Sequence, residues 1–257
     1  NTFTLPKEAK GKKVLLLSEG AMSEPQVYLN GKKVGEWAYG YSYFYFDVSQ
    51  FIQEGNNTLA VKLSNKEFAS RWYPGAGLYR KVSVIIKNNE SIDQWGQFIT
   101  TPFISDAVAK VNIKTKASGE NTRLVTTIFD AEGHKVSAEE SSLRFGKEFD
   151  QNLKVENPKL WSPETPYLYK AVAQLYVGNE LKDEVTTRFG IREIKYEANK
   201  GFSLNGKVTK FKGVCLHHDL GPLGAAVNKA ALRRQLTILK DMGCNAIRSS
   251  HNMPSFE

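Results

Sequence analysis

Phe211-Lys-Gly-Val-Cys-Leu-His-His-Asp219 and Asn245-Ala-Ile-Arg-Ser-Ser-His251 are the two stretches on which the fold of this chain turns. In the first, the run to Leu216, apolar but for Lys212, reads as a buried strand that stops in three polar side chains. In the second, Asn245 to Arg248 reads as a short strand running into Ser249, Ser250 and His251. Between them Leu232, Leu236, Leu239 and Met242 recur at spacings of four, three and three, which puts all four on one face of a helix. Asn228 stands at the N-cap, where its side chain can satisfy an orphan backbone N–H, and Gly243 supplies the left-handed stop. Strand, crossover helix and strand make a βαβ unit, whose strands run parallel because the helix returns the chain to the same end of the sheet.

Parallel sheets bind ligands at the carboxyl ends of their strands, where the loops converge while helices cover the sides. His217, His218, Asp219, Arg248 and His251 all fall at or beside such ends. Any one histidine taken singly reads first as a hydrogen-bonded structural residue. His217 and His251 together, on neighbouring strand ends and with an arginine three residues before the second, favour a polar binding rim. A His-His-Asp plus His set could ligate zinc, yet no helix-borne ligand spacing accompanies it, so no metal site is assigned.

Working outward, the sequence from Asn1 to about Lys87 is all β. Val14 to Leu17 is a buried run, and Gln26 to Leu29 leads into Asn30-Gly31, a type I′ hairpin signal that returns through Val34. Tyr41 to Phe46 alternates as a strand with two aromatic faces. Asn56-Asn57 is read as a turn into Thr58 to Leu63. The loop Arg71-Trp-Tyr-Pro-Gly-Ala-Gly-Leu-Tyr-Arg80 mixes aromatics with turn formers; a sugar-stacking platform and a simple core cover both fit Trp72 and Tyr79. Asn88 to Ser91 reads as a boundary. Strands then recur at sandwich spacing over Ala107–Ile113, Arg123–Phe129, Ser142–Phe145, Gln151–Val155, Leu168–Val177 and Glu184–Phe189, an immunoglobulin-like rhythm without an inter-sheet disulfide. Trp161, in Leu160-Trp-Ser-Pro163, is read as a core plug. Phe202 to Val208 is a second Asn-Gly hairpin.

Composition bounds the rest. At 257 residues the chain has room for about two domains of roughly 150 residues. Its 41% hydrophobic and 24% charged residues fit a globular protein, and no apolar run is long enough for a membrane span. The net charge of +8 is scattered rather than gathered into a stripe, which argues against a nucleic-acid partner. The two cysteines, Cys215 and Cys244, form neither a CxxC nor a disulfide framework. No signal peptide is visible at the N-terminus, which leaves both a periplasmic and a cytoplasmic location open.

These motifs, in this order, resemble family 2 glycoside hydrolases, the β-galactosidase, β-glucuronidase and β-mannosidase group. Asn245 to Pro254 and Lys212 to Asp219 resemble the start of that family's catalytic barrel. Asn30-Gly-Lys-Lys-Val-Gly35, Tyr39-Gly-Tyr-Ser42, Arg71 to Arg80, Leu160 to Tyr169 and Thr187-Arg-Phe-Gly-Ile-Arg192 are similar to its sugar-binding-type jelly roll and immunoglobulin-like second domain. The resemblance covers nearly the whole chain and implies a mainly β fold. It comprises a jelly-roll β-sandwich over 1–88, an immunoglobulin-like β-sandwich over 89–192, and the first β/α units of a (β/α)8 barrel over 193–257.

A whole barrel takes about 250 residues, and 65 follow Arg192, so the expectation is a chain shortened at both ends. The resemblance implies a retaining β-glycosidase acting on terminal β-galactosides, with β-glucuronide and β-mannoside as alternative specificities. It implies His217, His251 and Asp219 as sugar contacts and Arg248 as the support of the nucleophile. The two catalytic glutamates belong to later barrel strands, so residues 1–257 are expected to be inactive alone and to need no cofactor. A non-catalytic carbohydrate-binding or interaction module is the competing reading, and homo-oligomeric assembly stays open.

Overall fold

The Asn30-Gly31 turn is formed as its sequence dictates: both residues have positive φ, 51° and 78°, the conformation a two-residue hairpin needs to match strand twist. Around it the computed structural model, which describes residues 1–65, 76–217 and 220–256, builds the first sandwich. Its strands are β1 (Thr2–Thr4), β2 (Lys13–Ser18), β3 (Gln26–Leu29), β4 (Lys32–Glu36), β5 (Phe44–Asp47), β6 (Asn56–Lys62) and β7 (Val82–Lys87). One sheet has the order β1-β6-β3-β4 and the other β5-β2-β7. Val14, Leu16, Val27, Leu29 and Phe44, drawn from both sheets, meet in its core.

Two expectations are corrected in this part of the chain. Asn56-Asn57 opens β6 instead of turning. The turn comes earlier, and the fully buried Asn57 holds it by donating to the Gln53 and Gly55 carbonyls and accepting from the Gln53 N–H. The aromatic strand is also shorter than its alternation suggested: Tyr41 and Tyr43 lie in a loop before β5. Of the aromatic loop beginning at Arg71, residues 71–75, Trp72 included, lie outside the described residues. Its last two members are well placed. Tyr79 Oη donates to the Gly40 carbonyl (2.8 Å), and the buried Arg80 guanidinium donates to the carbonyls of Glu19 and Tyr41.

Burial pushes the Tyr79 hydroxyl up to about 12, helped by nearby tyrosines and opposed by the Arg80 charge. An unfolded tyrosine ionises near 10. The stability this group contributes is therefore complete below pH 10 and is lost as pH climbs from 10 to 12, about 1–2 kcal/mol after allowing for its partial exposure. Thermal melts at pH 9 and pH 11.5 should accordingly show a smaller alkaline loss for Tyr79→Phe than for the parent chain. Equal losses would mean the hydroxyl ionises freely.

The second sandwich begins with β8 (Ser91–Ile104), then β9 (Val108–Ser118), β10 (Thr122–Phe129), β11 (Lys135–Leu143), β12 (Glu148–Glu156), β13 (Tyr169–Val177) and β14 (Glu180–Phe189). Its sheets run β11-β10-β13-β14 and β12-β9-β8, with antiparallel neighbours throughout. Where an inter-sheet disulfide is absent, polar groups tie the layers. The fully buried Gln151 of β12 accepts from Thr126 Oγ1 and donates to the carbonyls of Leu124 and Glu139 on the facing sheet. Lys87 Nζ reaches both Asp183 (2.9 Å) and the Ile92 carbonyl, and Asp183 in turn accepts from the Ile92 N–H.

Three further strands follow, β15 (Ile194–Glu197), β16 (Gly201–Leu204) and β17 (Lys207–Val208), hydrogen-bonded in that order around the expected Asn205-Gly206 turn. Asn205 anchors them by donating to the Trp161 carbonyl. Trp161 itself is half-buried rather than a core plug, with the Arg192 guanidinium 5.1 Å over its ring. The chain divides into two compact units, one of Asn1–Ile86 with Phe211–Glu257 and one of Lys87–Lys210. The three strands over 194–208 therefore group with the second sandwich, and the βαβ segment with the first.

That segment consists of β18 (Gly213–Leu216), α1 (Lys229–Asp241) and β19 (Ala246–Ser249). Asn228 caps α1 as anticipated, its Oδ1 accepting from the Ala231 N–H at 3.0 Å. The strands pair in parallel, with Gly213 opposite Ala246 and Leu216 opposite Ser249. Among the described residues no helix is long and apolar enough to cross a membrane.

Candidate functional site

Strand alternation decides which side chains of the βαβ segment meet. Val214, Leu216, Ile247 and Ser249 share one face, and Cys215 and Arg248 share the other. Leu216, Ile247 and Ser249 line a cavity of about 200 Å3 together with Leu232 and Leu236 of α1. The opposite face and the strand ends carry the polar groups.

His217 follows β18 directly and His251 comes two residues after β19. Their rings stand 5.8 Å apart, centre to centre, at 85° to each other. The loop after β19 is drawn toward β18 by the Ser250 N–H, which donates to the Leu216 carbonyl at 2.8 Å. Arg248 organises the group: Nη1 donates to Ser250 Oγ (2.7 Å) and lies 3.8 Å from Cys215 Sγ, while Nη2 is 3.3 Å from His251 Nδ1. A guanidinium can only donate, so Nδ1 of His251 accepts, and a neutral His251 carries its proton on Nε2. The ring thereby presents an N–H donor on its far side. The Cys215 thiol is held below its usual value, first by its hydrogen bond with Ser250 and then by Arg248.

Of the residues singled out in the sequence, His217, His251 and Arg248 are brought together. His218 and Asp219 lie outside the described residues. Three members of the cluster had not been anticipated: Cys215, Ser250 and Asn252. Strand parity alone places Cys215 beside Arg248 once the register is known. Asn252 Oδ1 accepts from Tyr39 Oη at 2.6 Å, a contact spanning 213 positions of sequence that no local pattern encodes. Among the described residues no three His, Cys, Asp or Glu side chains group as metal ligands would.

Two sandwiches followed by a parallel βαβ segment with a polar rim at its strands' carboxyl ends define a multidomain, mainly β protein. The chain belongs to glycosyl hydrolase family 2. Three models of that family match in succession: the galactose-binding domain-like region over residues 1–73, the family 2 domain over 91–192 and the TIM barrel domain over 195–255. The beta-galactosidase BoGH2A of Bacteroides ovatus is 41% identical across 100% of this chain, which covers 31% of that protein. A putative beta-glucuronidase of Formosa agariphila is 38% identical across 98% of the chain and 24% of its own length. Among solved structures, a glycosyl hydrolase family 2 member from Bacteroides cellulosilyticus superposes with a TM-score of 0.95 at 34% identity, over 100% of this chain and 34% of that one. The chain thus spans between about a quarter and a third of the length of these relatives.

Proposed function

We propose that the whole protein is a retaining β-glycosidase that removes terminal β-galactosyl groups. The observation that carries this reading is the His217–His251 pair at the carboxyl ends of adjacent parallel strands, with Arg248 behind it. In this reading the jelly roll occupies 1–88, the immunoglobulin-like domain 89–192 and the barrel start 193–257. His217 and His251 bind sugar hydroxyls, with His251 donating from Nε2, and these bonds strengthen as the ring flattens toward an oxocarbenium ion. Asp219 takes a further hydroxyl. Arg248 keeps a neighbouring nucleophilic carboxylate ionised, because a fixed positive charge lowers its pKa.

A retaining mechanism needs two carboxyl groups about 5–5.5 Å apart. The resemblance to family 2 assigns both to glutamates carried on later barrel strands than the two present in residues 1–257. Residues 1–257 alone are accordingly expected to bind sugar without cleaving it. The galactoside preference is supported by the beta-galactosidase at 41% identity, and the glucuronidase relative at 38% makes β-glucuronides the second reading.

The deciding experiment is hydrolysis of 4-nitrophenyl β-galactoside, β-glucuronide and β-mannoside by the protein at the length of its relatives. The galactoside should be cleaved with the highest kcat/KM, by about tenfold or more, as expected when a site's polar groups pair with one sugar and are left unpaired by another. The first-formed product should retain the β anomer. Preference for the glucuronide would replace the specificity. No cleavage of any of the three, with glycan binding intact, would make the chain part of a binding module.

A further inference from the structure

Beyond Ser249 the chain leaves the sheet, and residues 252–256 run as a loop without ladder pairing. This loop is fastened to the first sandwich at three points. Tyr39 Oη donates to Asn252 Oδ1 at 2.6 Å, Arg80 Nη2 donates to the Met253 carbonyl at 3.4 Å, and the Phe256 N–H donates to Tyr43 Oη. The Tyr43 ring also lies against Phe256, 4.1 Å between centres. Tyr39 is the fastening nearest the rim, because Asn252 is the covalent neighbour of His251.

The loop behind Tyr39 is tied by several hydrogen bonds: Trp37 Nε1 donates to Ser42 Oγ (2.7 Å), Tyr79 Oη to the Gly40 carbonyl and Arg80 Nη1 to the Tyr41 carbonyl. The Tyr39 and Tyr41 rings are 5.8 Å apart. A phenol held from a hydrogen-bonded loop and bonded to the residue next to His251 constrains where that imidazole sits. Small errors of placement at a reacting sugar are costly, and about 1 Å can lose 10²-fold in rate.

We propose that Tyr39 is a positioning residue for His251, acting through the Asn252 side chain, so that the first sandwich helps to set the geometry of the sugar site. This rests on the assignment of His251 as a sugar contact. Tyr39→Phe keeps the ring and removes the one hydrogen bond. In the full-length protein it should lower kcat/KM by about tenfold, a typical loss for one orienting hydrogen bond, while Tm moves by under about 2 °C. The same substitution made on top of His251→Ala should then cost less than about twofold, since the group being positioned is gone. Asn252→Ala should reproduce the Tyr39→Phe loss and add little to it.

An unchanged kcat/KM in Tyr39→Phe would overturn the proposal. So would a tenfold loss that persists in the His251→Ala background, because the phenol would then act by another route while His251 kept its role. A silent His251→Ala would remove the sugar-site reading itself, and the positioning claim with it.

Discussion

Arg248→Ala in the full-length protein is expected to lower kcat/KM by about 10²–10³-fold, the loss typical of removing a fixed charge that acts at a reacting centre. The guanidinium serves three neighbours at once: it donates to Ser250, lies beside the Cys215 sulfur and fixes the accepting nitrogen of His251. Removing it releases the His251 tautomer and withdraws the positive charge assigned to the nucleophile's side of the site. Arg248→Lys should recover less than about tenfold of the loss, because an ammonium is a point charge without the planar fork that reaches Ser250 and His251 together. Steady-state kinetics on the preferred substrate would decide it; wild-type kcat/KM in Arg248→Ala would remove Arg248 from the site.

The second large effect is structural. Gly213→Ala should unseat the parallel strand pair, costing about 3 kcal/mol or more, in the range of severe overpacking. A Cβ on Gly213 would overlap the Ala246 carbonyl oxygen, and that atom is backbone on the paired strand, so no side chain can swing away. Gly243→Ala is the control. It meets nothing within 4 Å and carries only the strain of φ +85°, so it should cost about 1 kcal/mol. Denaturant melts of the two variants should differ clearly, and similar costs would show that strand approach at Gly213 is loose.

Much of this architecture was legible because it is written in local chemistry. Asn30-Gly31 and Asn205-Gly206 turn where their tolerance of positive φ allows, and the Leu232–Leu236–Leu239–Met242 stripe with its Asn228 cap defines α1. The long strand β8 was not legible. Its pairing with β9 slips between Ile92 and Gln97 and again between Thr100 and Phe103, so the period-two alternation that betrays a strand is broken twice. β11 was recognised only at its end, because an exposed edge strand reading Lys-Val-Ser-Ala-Glu-Glu-Ser-Ser-Leu has too few apolar residues to alternate. The rim shows the same division. His217, His251 and Arg248 stand out as polar groups ending apolar strands, whereas Tyr39 is placed by a contact with no sequence periodicity behind it.

Arg80 has a consequence for biosynthesis. Its guanidinium joins carbonyls from Glu19 and Tyr41, made before it, to that of Met253, which is made 173 residues after it. At about 5–20 residues per second, the ribosome needs roughly 10–35 s to deliver that last acceptor. During that interval Arg80 Nη2 is without the acceptor it has in the folded chain, and the Met253 carbonyl supplies it once translated.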